Sequence, residues 1–184
     1  ADTPSLAING SVELNPKVGL RNPAFDICRG FVLSVPSGRT RLEKDYAISR
    51  SQTHAIRLDS DAKTPSSAYW SNYAGGGLGN SITPVEPGKP YRSTAAIRTD
   101  LSAGAGRLAL AFFTAEGRWA QVPGQRPSGV DSADVSGRSE WTDCEVVLTA
   151  PENAFSAVLF FRVADATGSC WFDQPSFTEV PAAP

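Results

Sequence analysis

Phe155-Ser156-Ala157-Val158-Leu159-Phe160-Phe161-Arg162-Val163 is the stretch whose reading decides the fold. Phe155, Ala157, Leu159, Phe161 and Val163 recur with a period of two, which sets side chains on one face of a β-strand. Upstream, Trp141 to Thr149 repeats the pattern with Cys144, Val146 and Leu148. Arg107 to Thr114 does so with Leu108, Leu110 and Phe112. Tyr91 to Thr99 puts Tyr91, Ser93, Ala95, Ile97 and Thr99 on one face, and Thr53 to Asp59 puts His54, Ile56 and Leu58 on one face. Cys170 to Phe177 closes the series. Glu86-Pro87-Gly88-Lys89-Pro90, Ala103-Gly104-Ala105-Gly106, Ala115-Glu116-Gly117 and Ala150-Pro151-Glu152-Asn153 supply turns between these runs. No window carries a long helical period. The chain therefore reads as all-β: a two-sheet antiparallel β-sandwich of the jelly-roll type. Its expected core is Leu108, Leu110, Phe112, Val146, Leu148, Leu159, Phe161 and Phe177.

The 184 residues suit one domain, read as 6–180 between Pro/Ala-rich stubs at 1–5 and 181–184. A hydrophobic share of 41% and a charged share of 20% describe a globular chain. The formal net charge of -2 gives no nucleic-acid footprint. No run approaches the roughly 20 apolar residues of a membrane helix. A chain that starts Ala1-Asp2-Thr3-Pro4 and has no methionine is expected of a secreted protein after processing, or of an excised domain. Cys28, Cys144 and Cys170 have neither zinc nor redox spacing. They read either as one disulfide plus a free thiol, with three possible pairings, or as three buried reduced residues.

Two stretches stand apart as long polar loops. Ser66 to Ser81 carries Tyr69, Trp70 and Tyr73 before Gly75-Gly76-Gly77-Leu78-Gly79, and Gly117 to Ser139 carries Arg118, Trp119, Arg126 and Arg138. Loops on a rigid scaffold are where binding residues concentrate.

Five segments, in order, resemble a known group. Ile8-Asn9-Gly10-Ser11-Val12-Glu13, Pro87-Gly88-Lys89-Pro90-Tyr91-Arg92-Ser93-Thr94-Ala95, Phe112-Phe113-Thr114-Ala115-Glu116-Gly117, Trp141-Thr142 and Trp171-Phe172-Asp173-Gln174-Pro175-Ser176-Phe177 are similar to motifs of carbohydrate-binding modules of families 4, 9 and 22, which are galactose-binding-like β-sandwiches. Val12 and Gln174 depart from the usual Phe and Asp. The resemblance implies a non-catalytic module that binds a polysaccharide. It also implies a glycoside hydrolase or polysaccharide lyase domain in the same polypeptide. It implies a structural calcium on Glu13 and Asp173, and core positions for Tyr91, Trp141 and Trp171.

Sugar binding needs flat apolar faces with polar groups beside them. Trp70 is the first candidate platform, followed by Trp119, Tyr73 and Tyr69. Arg118 and Arg57 are candidates for pairing with acidic groups of a glycan. An enzyme has little to build on, because His54 is the only histidine. The alternatives are an accessory sandwich that binds no sugar, and a small polysaccharide lyase using His54 and a tyrosine.

Overall fold

The computed structural model describes residues 16–73, 81–121 and 129–184. The motif at Ile8–Glu13, the glycines between 75 and 79, and Arg126 lie outside them. Within them the chain forms β1 (Val32–Ser37), β2 (Thr40–Asp45), β3 (Ala55–Ser60), β4 (Ser66–Ser71), β5 (Thr83–Pro84), β6 (Pro90–Phe113), β7 (Val130–Asp131), β8 (Val135–Thr149) and β9 (Ser156–Glu179). A 3-10 helix, Pro23–Cys28, precedes them. All strand pairs are antiparallel. No helix among the described residues is long and apolar enough to cross a membrane.

One hydrogen-bonded sheet, β1-β4-β9-β3-β2 with β6 beside β9, curls into the two layers of a β-sandwich. The long strands β6 and β9 serve both layers. Their outer halves pair Gly106 to Phe113 with Ser156 to Val163, and their other halves pair Tyr91 to Leu101 with Gly168 to Glu179. Between the halves both strands turn a corner. Gly104 at φ +77° and Gly168 at φ +116° make this corner possible, since a Cβ on either would meet a facing carbonyl oxygen at 2.3 Å. The stretch Ala103–Gly106, read from sequence as a turn between strands, is thus a bend inside one strand.

The layers enclose a core containing Leu58, Ile97, Leu108, Leu110, Phe112, Val146, Leu148, Leu159, Phe161 and Phe172. Phe177 packs on it from a half-buried position. Phe161 of one layer meets Phe172 of the other, ring centroids 5.5 Å apart. Phe155, counted on the inner phase from sequence, is exposed instead, because β9 begins only at Ser156. Ser66 to Ser71 is strand rather than loop, and β7 and β8 start inside the second supposed loop. Of the three aromatics expected in the core, Tyr91 joins the central cluster and Trp171 is buried outside it. Trp171 is buried on the outward face under Arg98, whose guanidinium lies 5.9 Å from the ring. Trp141 is half-buried, and neither tryptophan belongs to the central cluster. Cys28, Cys144 and Cys170 are buried and unpaired.

Candidate functional site

β6 and β9 are apolar in both phases where they cross the first layer. Leu108, Leu110, Leu159 and Phe161 face the core, while Ala109, Ala111, Phe113, Val158 and Phe160 form a second apolar cluster on the outward face. Over this cluster lie Tyr69, Tyr73 and Trp119. Tyr69 is brought there by β4, and Tyr73 continues the same phase just beyond it. Trp119 arrives through a tight turn: Gly117 N–H donates to Thr114 O and Thr114 N–H to Arg118 O, so that Trp119 bridges back to Phe113.

The rings form a continuous plate. Tyr73 lies 6.0 Å from Tyr69 and 5.3 Å from Trp119, with interplanar angles of 39° and 35°. Trp119 rests on Phe113 at 4.4 Å, and Tyr69 meets Phe160 edge-on at 5.3 Å. All three upper rings are only half-buried. A row of gently tilted rings offers the apolar surface that the C–H face of a pyranose needs.

Polar groups border the plate. Cross-strand register aligns Tyr69, Arg162 and Arg107 on neighbouring strands. Arg162 lies over the Phe160 ring at 4.9 Å. Asp131 of β7 receives Arg107 at 3.3 Å and Arg162 at 3.4 Å, and Arg107 also approaches Asp134 at 2.9 Å. With Pro36, Ser67 and Tyr69, residues Arg107, Asp131 and Arg162 line a groove of about 320 Å³. Fixed guanidinium and carboxylate groups beside aromatic rings can hydrogen-bond sugar hydroxyls as donors and acceptors.

Three of the sequence candidates, Tyr69, Tyr73 and Trp119, thus meet on one face. Trp70 does not join them. It is one residue out of phase with Tyr69, so β4 turns it inward against Phe25, Phe31 and Phe161, at 6.0, 5.3 and 5.6 Å. Arg118 is exposed on the turn beside Trp119. Arg57 is on β3, opposite Trp171 and on the far side of the β9 bend from Tyr69. There it pairs with Asp45 at 2.8 Å and Asp59 at 2.9 Å, an ion-pair network rather than part of the plate. Sequence reasoning missed Phe113, Phe160, Arg107, Arg162 and Asp131. The available signal was the apolar character of both phases in Leu108-Ala109-Leu110-Ala111-Phe112-Phe113.

Calcium prefers six to eight oxygen ligands, carboxylates among them. Glu13 lies outside the described residues. Asp173 is fully buried, and its two oxygens are taken up by hydrogen-bond donors from Asn22, Arg50, Ser51 and Gln174. A carboxylate so occupied does not fit the role of a calcium ligand.

His54 is 4% exposed, stacked on Phe25 at 5.4 Å with Tyr46 at the same distance on another side. Burial, with Lys44 nearby, pushes its imidazole below the usual range, against the pull of Leu20 O and Asp173. The unfolded chain then takes up this proton first. The stability contributed by neutral His54 is present above the unfolded pKa of about 6.5 and is lost as pH falls from there through the folded value. Urea midpoints at pH 8 and pH 5.5 should therefore differ more for the parent chain than for His54→Gln. Equal differences would mean that other groups carry the pH response.

The fold is the jelly-roll β-sandwich found in carbohydrate-binding modules. No known protein family matches the sequence, and no curated protein matches it. Among solved structures, the enzymatically active domain of bacteriophage CBA120 tailspike protein 4 is similar at TM-score 0.61 and 12% identity, over 86% of this chain and 20% of that one. The family 22 module and catalytic module of Clostridium thermocellum endo-1,4-β-D-xylanase 10B, complexed with xylohexaose, are similar at TM-score 0.53 and 16% identity, over 81% and 26%. The isolated C-terminal family 22 module of a C. thermocellum xylanase is similar at TM-score 0.51 and 12% identity, over 82% and 86%. The chain thus spans about a fifth and about a quarter of the two longer structures and most of the isolated module.

Proposed function

We propose that this chain is a non-catalytic carbohydrate-binding module whose ligand, an oligosaccharide or polysaccharide, lies across the outward face bearing Tyr69, Tyr73 and Trp119. The observation that carries this reading is the half-buried plate of three rings on a rigid sheet with Arg107, Arg162 and Asp131 at its border. Sugar binding by modules of the same fold supports it. The module serves a secreted glycoside hydrolase or polysaccharide lyase by holding it on its substrate.

A glycan array with the purified chain identifies the ligand, and titration calorimetry then locates the site. Trp119→Ala and Tyr73→Ala should each weaken binding by at least roughly 1 kcal/mol, about fivefold to tenfold, the scale of a lost aromatic contact. Trp70→Ala should lower the melting temperature and leave affinity unchanged, since its ring faces the core. Stacking should also be insensitive to added salt. An array on which nothing binds would leave the accessory, non-binding sandwich as the better reading. Release of unsaturated products, abolished by His54→Ala, would instead favour the lyase.

A further inference from the structure

Asp173 sits where the resemblance places a structural cation, yet the chain surrounds it with its own donors. Oδ2 accepts the N–H of Arg50 at 2.7 Å, the N–H of Ser51 at 2.8 Å and the hydroxyl of Ser51 at 2.9 Å. Oδ1 accepts the N–H of Gln174 at 2.7 Å and, at 3.2 Å, the side-chain amide of Asn22. A carboxylate has about four lone-pair sites, so these donors fill it.

The donors come from distant parts of the chain. The Asn22 amide shares its two N–H hydrogens among Asp173 and two nearer acceptors, His54 O and Ser51 Oγ, both at 2.9 Å, and its own oxygen caps the 3-10 helix by accepting Ala24 N–H. Arg50 and Ser51 belong to the connection between β2 and β3, and Asp173 belongs to β9. One buried carboxylate therefore ties together the segment before β1, the β2–β3 connection and the strand shared by both layers. Tying such segments together is the work a bridging cation would do.

The electrostatics exclude sharing. Each N–H and O–H presents its positive end to Asp173, and a divalent cation within the 2.3–2.6 Å of a calcium–oxygen bond would face those ends. Admitting it would strip a fully buried carboxylate of bonds that already satisfy it, and would leave the donors unpaired. We infer that hydrogen bonds from Arg50, Ser51, Gln174 and Asn22 replace the metal, and that the β-sandwich of this chain is calcium-independent.

Thermal unfolding of the full chain tests this. The melting temperature should be the same in EDTA and in millimolar calcium, and calorimetric titration of calcium into the stripped chain should give no binding heat. Ser51→Ala removes one side-chain donor and should lower the midpoint by roughly 2–4 °C. Asp173→Asn turns an N–H₂ toward backbone N–H groups and should lower it by more, or prevent folding. Neither variant should regain stability with calcium. A calcium-dependent rise in the midpoint of the parent chain would overturn the inference, as would an Asp173→Asn chain that melts like the parent.

Discussion

Replacing Phe161 with alanine should cost about 3–5 kcal/mol of unfolding free energy, the range for deleting a fully buried phenylalanine. The ring is 1% exposed and touches Phe31, Trp70 and Phe172, so it fills the space between the two layers. These neighbours are large rings anchored on separate strands and loops, and they cannot all close over the void. For a chain of this size the loss corresponds to roughly 10 °C in melting temperature. Denaturant unfolding followed by tryptophan fluorescence measures it. Phe155→Ala, at an exposed ring just before the same strand, should cost less than about 1 kcal/mol. Comparable costs at both positions would contradict the assignment of Phe161 as the contact between layers.

Asp45→Asn should cost about 3 kcal/mol, because it breaks a buried ion pair from one side only. The Asp45 side chain is 6% exposed. It accepts the N–H groups of Ala47 and Ile48 at 2.9 and 2.8 Å, Arg57 at 2.8 Å and the indole N–H of Trp171 at 2.9 Å. Burial alone would push this carboxyl up. The bonds from Trp171, Ile48, Arg57 and Ala47 outweigh burial and hold it below the usual range. A depressed folded pKa means that the unfolded chain binds the proton first as pH falls. The stabilisation is present above the unfolded value of about 3.9 and is lost as pH drops through the folded one. The stability gap between parent and Asp45→Asn should therefore be full at neutral pH and narrow in acid, as read from urea midpoints across the acid limb. A gap that does not change with pH would remove the charge from the explanation.

The inner faces of the central strands were legible because Leu108, Leu110, Phe112, Val146, Leu148, Leu159 and Phe161 each alternate with residues of the other phase. β1 and β2 were not. Pro36 interrupts the first, and Thr40-Arg41-Leu42-Glu43-Lys44-Asp45 has a single aliphatic residue because it is an edge strand with little to bury. β4 hid in Ser66-Ser67-Ala68-Tyr69-Trp70-Ser71, where serines mask a strand whose partner lies some ninety residues later. That error carried into the site. A loop reading has no phase to separate Tyr69 from Trp70 and puts Trp70 first, whereas strand phase sends Tyr69 out and Trp70 in. Phe113 and Phe160 were overlooked for the opposite reason: an unbroken apolar run conceals which of its phases faces outward. The calcium expectation came from the resemblance, which placed the ion on Glu13 and Asp173. The donors that surround Asp173, on Asn22, Arg50 and Ser51, are visible only once the chain has folded.

β9 follows every other strand in sequence, and β3, β4, β5 and β6 all pair with it. On a ribosome the chain emerges from its N-terminal end, and the first large pairing it can complete is the β6–β8 hairpin. Until Ser156–Glu179 has emerged, β3 and β4 have no central partner and their apolar sides stay open to water. Assembly of both layers must wait for that one segment, so translational pauses ahead of it expose the nascent chain to aggregation, and folding finishes in a single late step.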